Sequence, residues 1–335
     1  MFVPKRVFFE RDALRYPLGE RLYHRFKSSG LPLSYTTGHN RVTGVPGDTP
    51  RRAYAEAKAT LVVGVKRSLE FQGSRPSADY ALPLVTGCPG HCQYCYLQTT
   101  LGPRPYIRVY VNVDEILARA GRYIKERLPK ETSFEGSCTS DPVPVEPYTG
   151  SLASAVRFFA GQEKGRFRFV TKDPQVSGLL GVEHGGHTEA RVSLSPRYVE
   201  ETFEAGVAPT SERVRAARQL WKAGYAVGFL VAPVMVYPGW KEELEDLLRQ
   251  VAKAAEWAPF LEVVTHRFTA RAKRLILARH PGTLLPLEEE GRQYRFGQFG
   301  YGKYVYPPKV LEDIRAFLQE ETQRILPGSQ VRYVV

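Results

Sequence analysis

Apolar positions in the first 79 residues are unevenly patterned. Helical spacing covers residues 16–27 and 50–59, and an unbroken apolar run at 61–65 predicts a short strand. Pro and Gly punctuate the rest of this basic stretch, and no linker or low-complexity break follows it. From Tyr80 the pattern becomes strand then helix, several times over. Short runs rich in β-branched and aromatic residues predict strands at 80–85, 132–136, 167–171, 190–194, 226–231 and 261–264. Between them, apolar residues recur at helical spacing over 114–127, 151–162, 211–223 and 241–255. Such alternation makes the class α/β with parallel strands. No internal repeat is visible.

Thiols change this picture. Of four cysteines, Cys88, Cys92 and Cys95 fall in the segment Gly87-Cys88-Pro89-Gly90-His91-Cys92-Gln93-Tyr94-Cys95-Tyr96, and Cys138 stands alone. A C-x3-C-x2-C spacing lets one loop wrap three thiolates around one face of a metal group. A closed zinc site wants four ligands, usually in two separated pairs, and no fourth is near apart from His91 beside Cys92. A 4Fe-4S cluster on three cysteines instead leaves one iron open to an external ligand. Cys138, read alone, is a small buried hydrophobe.

Charge adds a partner. Forty-seven Lys+Arg against 35 Asp+Glu give +12, and an excess of this size suggests a polyanion, nucleic acid first. From Val263 to Leu287 there is no acidic residue, yet Arg267, Arg271, Lys273, Arg274 and Arg279 are present. Then Arg292-Gln293-Tyr294-Arg295-Phe296 and Lys303-Tyr304-Val305-Tyr306 flank Gly300-Tyr301-Gly302, a hairpin signal in which aromatic and basic residues interleave. The aromatics could equally pack against the strand-helix units. No apolar run reaches about 18 residues and the start lacks a signal-peptide core, so a soluble, cytoplasmic chain is expected.

The cysteine segment resembles that of the radical S-adenosylmethionine (SAM) superfamily. With Glu135-Gly136-Ser137-Cys138-Thr139-Ser140-Asp141 and Thr265-His266-Arg267-Phe268-Thr269, the chain is similar to one family within it, spore photoproduct lyase, from about Phe2 to Pro307. The resemblance implies a partial (β/α)6 TIM barrel, with an N-terminal α/β extension at 1–79, the barrel at 80–285, and a C-terminal hairpin plus helix at 286–335. Barrel chemistry gathers where strands end. It implies a carbon-carbon lyase that uses a 5′-deoxyadenosyl radical from SAM to split a methylene-bridged thymine dimer in double-stranded DNA. Cys88, Cys92 and Cys95 would hold the 4Fe-4S cluster. Ser140 and Asp141, standing where the superfamily often has Gly-Gly-Glu, would serve SAM together with Lys172 and Ser193.

A thiol S–H bond is weaker than most C–H bonds, so Cys138 would return hydrogen to the thymine radical, and Tyr94 and Tyr96 would carry the resulting radical back. Arg267, Arg271, Lys273, Arg295, Tyr301 and Lys303 would meet DNA, with the hairpin as a wedge that fills the gap left by an extruded lesion. Pro238-Gly239-Trp240 would line the lesion pocket or start the next helix. A monomer supplied by a flavodoxin- or ferredoxin-type electron donor completes the expectation. Two other readings stay open: a radical SAM enzyme acting on RNA or a small molecule, and a non-catalytic Fe-S nucleic-acid binder.

Overall fold

One strand shows how the barrel is built. In Thr188–Leu194, Ala190, Val192 and Leu194 are buried on one face, against helix Thr210–Lys222. Arg191 and Ser193, offset by one, take the other face, because side chains alternate along a strand. In the structure, a computed structural model describing residues 2–40, 42–297 and 300–335, six such strands lie side by side in chain order and in parallel. They are Ala78–Ala81, Thr132–Glu135, Gly165–Thr171, Thr188–Leu194, Ala226–Val234 and Phe260–Thr265. Gln330–Val334, which the hydropathy pattern did not reveal, adds a seventh parallel strand beside the last.

Helices cover the outside. Helix Val113–Glu126 buries Val113, Ile116, Leu117, Ala120 and Ile124 at helical spacing and carries Asp114 and Glu115 in its first turn, where the positive end of the helix dipole favours them. The interior face is charged. Arg191 pairs with Glu135 and, at 2.9 Å, with Glu262; Arg168 also reaches Glu262, and Tyr333 donates to the same carboxylate at 2.8 Å. Every charge in this dry network has a counter-charge, which is the condition for keeping ions there.

The run at 80–85 is not one strand. Pro83, with no N–H to donate, breaks it. Ala78–Ala81 stays in the barrel, while Val85–Thr86 joins a second sheet. That sheet is parallel through Leu33–Thr36, Arg6–Glu10, Thr60–Gly64 and Ile107–Tyr110, and Val85–Thr86 pairs antiparallel to the last. The N-terminal sheet therefore draws two strands from beyond residue 79, and residues 87–106 form a long loop between them.

At the other end, Gln293–Phe296 and Gly302–Val305 pair as a two-stranded hairpin, held to the barrel by a bridge between Phe268 and Tyr304. Helix Pro308–Ile325 leaves the hairpin and packs on helix Trp240–Ala254, burying Ile314 and Leu318. Among the described residues no helix is long and apolar enough to cross a membrane.

Candidate active site

The cysteine loop is braced on every side by backbone contacts. Gly87 opens it at φ +93°, where a Cβ would stand 2.9 Å from the Tyr106 carbonyl, so only glycine fits. The His91 and Gln93 N–H groups donate to Ala205 and Phe203 at 2.8 and 2.9 Å. Lys58 donates to the Cys88 and Gly90 carbonyls at 2.6 and 2.8 Å. Gln98 holds the carbonyls of Cys92 and Gln93, and Arg279 in turn holds Gln98 Oε1 at 2.9 Å.

Two observations show that this loop fits a metal group. The Cβ position at Gly90, from which Val207 at 2.6 Å excludes a side chain, lies 3.6 Å from Cys88 Sγ and 3.9 Å from Cys92 Sγ, so both thiols face this one glycine. The Tyr54 hydroxyl is buried beside the thiols with no hydrogen-bond partner. Among the described residues no three His, Cys, Asp or Glu side chains close around a single ion. Burial pushes the Cys88 thiol up to about 12 and the Cys92 thiol up to about 11, so loading a metal displaces their protons.

Strand ends converge next to the loop. The Tyr96 hydroxyl donates to the Cys138 carbonyl, which joins the last residue of the cysteine motif to the only cysteine outside it. Tyr96 is 56% exposed and lies within electrostatic reach of Cys138, Cys95, Tyr301 and Arg267. Tyr94 takes the opposite direction. Its hydroxyl donates to Glu204 and accepts from Lys172 Nζ at 2.6 Å. Burial, then the negative charges of Cys92 and Glu204, keep this phenol protonated far above its ordinary range.

Lys172 is not a free cation. It pairs with Glu204, which also meets Arg213 at 2.6 Å and the Ser195 hydroxyl. Burial would raise the Glu204 carboxyl, but Lys172 and Arg213 overrule it and hold it at about 2. Asp141 is committed as well: it accepts from Thr171 Oγ1 at 3.0 Å, from the Lys172 N–H at 2.9 Å and from the Val143 N–H at 3.2 Å. Ser140 turns its hydroxyl back to the Gly136 carbonyl, and Ser193 lies on the interior face with Arg191. Cys88, Gly90, Asp141 and Lys172 line one cleft of about 330 Å³.

The spore photoproduct lyase family model matches residues 2–335. A spore photoproduct lyase from Geobacillus sp. (strain Y412MC61) is 47% identical over 99% of this chain and 98% of its own, and one from Bacillus subtilis (strain 168) is 44% identical over the same shares. The chain belongs to the spore photoproduct lyase family. Two solved structures of spore photoproduct lyase agree with this fold across 100% of the chain and 99% of theirs. One, complexed with dinucleoside spore photoproduct, has a TM-score of 0.97 at 47% identity; the other, a double mutant with bound AdoMet and the same dinucleoside, has 0.98 at 46%.

In this family member the basic stretch divides. Arg267, Arg271 and Arg274 are exposed, whereas Lys273 pairs with Glu289 at 3.0 Å and Arg279 is buried against the cysteine loop. At the hairpin Arg295 and Tyr301 are exposed and Lys303 half-buried. Phe296, not singled out by the sequence, is more exposed than either neighbouring aromatic, at 76%. Trp240 starts its helix by packing edge-on against Phe317, which settles that residue as a packing anchor.

Glu204, Arg213, Tyr54 and Lys58 escaped the sequence reading. Glu204 and Arg213 lie outside any motif, and a Lys at a helix end reads as solvated surface. The only available signal was the helical spacing of Tyr54 and Lys58, four residues apart on one face.

Proposed function

We propose that this chain is a radical SAM carbon-carbon lyase that returns the spore photoproduct, 5-thyminyl-5,6-dihydrothymine, in DNA to two thymines. Family membership over the whole chain supports the reaction. The observation that supports the residue assignment is the Tyr96 hydrogen bond to the Cys138 carbonyl, which brings the backbone of the one cysteine outside the loop beside the motif. Cys88, Cys92 and Cys95 would hold the 4Fe-4S cluster, and Ser140, Asp141, Lys172 and Ser193 would surround SAM. Bound together, these groups would supply the radical chemistry that opens the lesion by removing hydrogen at its C6.

The protein's own residues finish the reaction. Cys138 gives a hydrogen atom to the thymine that is left short of one, its sulfur takes one back through Tyr96 and Tyr94, and the tyrosines would recover theirs from the 5′-deoxyadenosine that took hydrogen from C6. Tyr94 is held in place for that step by its hydrogen bonds to Glu204 and Lys172. The Lys172 ammonium reaches a ligand carboxylate by sharing itself between that group and Glu204, so Arg213 is needed to keep Glu204 compensated during the exchange. The lesion is extruded from the duplex to reach the barrel mouth. Arg267, Arg271, Lys273, Arg295 and Lys303 meet phosphates and Tyr301 fills the vacated stack. The chain acts as a cytoplasmic monomer served by a flavodoxin- or ferredoxin-type donor.

Replacing Cys138 with Ala tests the assignment. Iron content and SAM cleavage persist, and the products shift from clean thymine to trapped by-products. Undiminished, clean thymine formation removes Cys138 from the mechanism.

A further inference from the structure

Two buried cations stand against the cysteine loop with no carboxylate beside them. Lys58 is 2% exposed and Arg279 is 1% exposed, and among the described residues neither forms an ion pair. Each spends its donors on backbone carbonyls of the loop region: Lys58 on Cys88 and Gly90, Arg279 on Gln98 and, at 3.3 Å, on Pro103, besides the Gln98 side chain. The two come from distant parts of the chain. Lys58 ends helix Pro50–Lys58, and Arg279 ends helix Ala270–Arg279.

Between them stands Tyr54. Its ring has Arg279 at 4.5 Å and Lys58 at 5.4 Å from the centroid, and His91 packs edge-on at 5.7 Å. Helical spacing puts Tyr54 and Lys58 on one face, so the same helix presents both. The Tyr54 hydroxyl is buried and unpartnered, and it feels all three thiols, Cys95 most strongly. A buried donor without an acceptor is rare in a folded protein and wants an explanation. So do two buried charges without counter-ions, because an ion removed from water is retained where something compensates it.

One occupant answers both. Three thiolates around an iron-sulfur core carry net negative charge, sulfur accepts hydrogen bonds, and reduction adds one more electron to the same small volume. Nearby cations and sulfur-directed donors therefore stabilise the reduced form more than the oxidised one, and hydrogen bonds and net charge are among the protein's levers on such a potential.

We propose that Tyr54, Lys58 and Arg279 form an electropositive cap over the cysteine loop that raises the reduction potential of the cluster, with the Tyr54 hydroxyl as a donor to one of its sulfurs. The proposal rests on reading Cys88, Cys92 and Cys95 as the cluster ligands. The cap is a positioning and tuning device, touching neither SAM nor lesion. It ties the N-terminal sheet to the cysteine loop, since the helix between that sheet's strands Leu33–Thr36 and Thr60–Gly64 supplies two of the three groups.

The test is an EPR-monitored redox titration of the anaerobically reconstituted full chain without SAM or DNA, alongside iron and sulfide analysis and a melting curve. Tyr54→Phe removes one oxygen and keeps the ring between its cations; it should load iron as the unaltered chain does and shift the midpoint to more negative potential. Lys58→Met should shift it further, by a tenfold change in the reduction equilibrium, which is about 59 mV for one electron. If Tyr54→Phe and Lys58→Met load iron and titrate at the unaltered midpoint, the cap is refuted, even where they lower the melting temperature, because bracing alone would do that. Retention of iron after replacing all three loop cysteines with Ala is a different failure and overturns the ligand assignment itself.

Discussion

Replacing Glu204 with Gln removes one negative charge from a place where three groups depend on it. The side chains of Glu204 and Arg213 are fully buried, and Lys172 completes the cluster. Two routes give the cost. The Glu204 carboxyl sits at about 2 in the folded chain against an ordinary 4.5, a gap of about 3 kcal/mol at ~1.4 kcal/mol per pH unit. Removing one partner of a buried pair costs about 3–5 kcal/mol, because the surviving cations stay buried without compensation. The routes agree. With ~2.1 cal/mol/K of unfolding entropy per residue over 335 residues, such a loss lowers the melting midpoint by about 4–7 °C.

The assay is scanning calorimetry of the cluster-free chain and its Glu204→Gln variant across pH. A carboxyl whose folded value lies below its unfolded one contributes stability that is complete above about pH 4.5 and disappears as pH falls toward 2. The two midpoints should therefore differ by a constant amount at neutral pH and converge as acid is added below 4.5. A variant that melts within 1 °C of the unaltered chain at pH 7 refutes the reasoning.

Arg191→Met leaves Glu135 and Glu262 short of a counter-charge in the barrel interior and should cost about 3–5 kcal/mol in urea unfolding, with part of the loss recovered by adding Glu135→Gln. Gly90→Ala places a methyl 2.6 Å from Val207, so the melting midpoint of the cluster-free chain should fall, and adding Val207→Ala should recover part of the loss. Across a salt titration with duplex DNA, Arg271→Ala should reduce the log-log slope by about 0.9, and Lys273→Ala by less, because Glu289 already neutralises it. Phe296→Ala and Tyr301→Ala should leave affinity for undamaged duplex near its starting value and lower preference for lesion-bearing duplex in competition binding.

Period and spacing made the barrel legible, since a strand with one face against helices must alternate and a helix on its outside must repeat at 3.6. They failed where burial is complete or sequence is short. Ile107–Tyr110 is buried at all four positions and carries an Arg, so it shows no alternation, and Pro83 hid a change of sheet inside one apolar run. The metal loop was legible because three clustered thiols are rare. Its surroundings were not. Glu204 meets Lys172 and Tyr94 only through folding, and Lys273 and Arg279 look alike in a basic run although one pairs on the surface and the other is buried.

The cysteine loop begins after Val85–Thr86 and ends before Ile107–Tyr110, two strands that pair with each other in the N-terminal sheet. Both anchors of the loop are therefore made by the time the ribosome reaches Tyr110, with about two thirds of the chain still to come. Tyr54 and Lys58 precede them, whereas Ala205, Phe203 and Arg279, which brace the loop's other side, follow much later. The loop is thus anchored by strands close to it in the chain but enclosed by groups from far along it, and its far wall exists only once the barrel has closed.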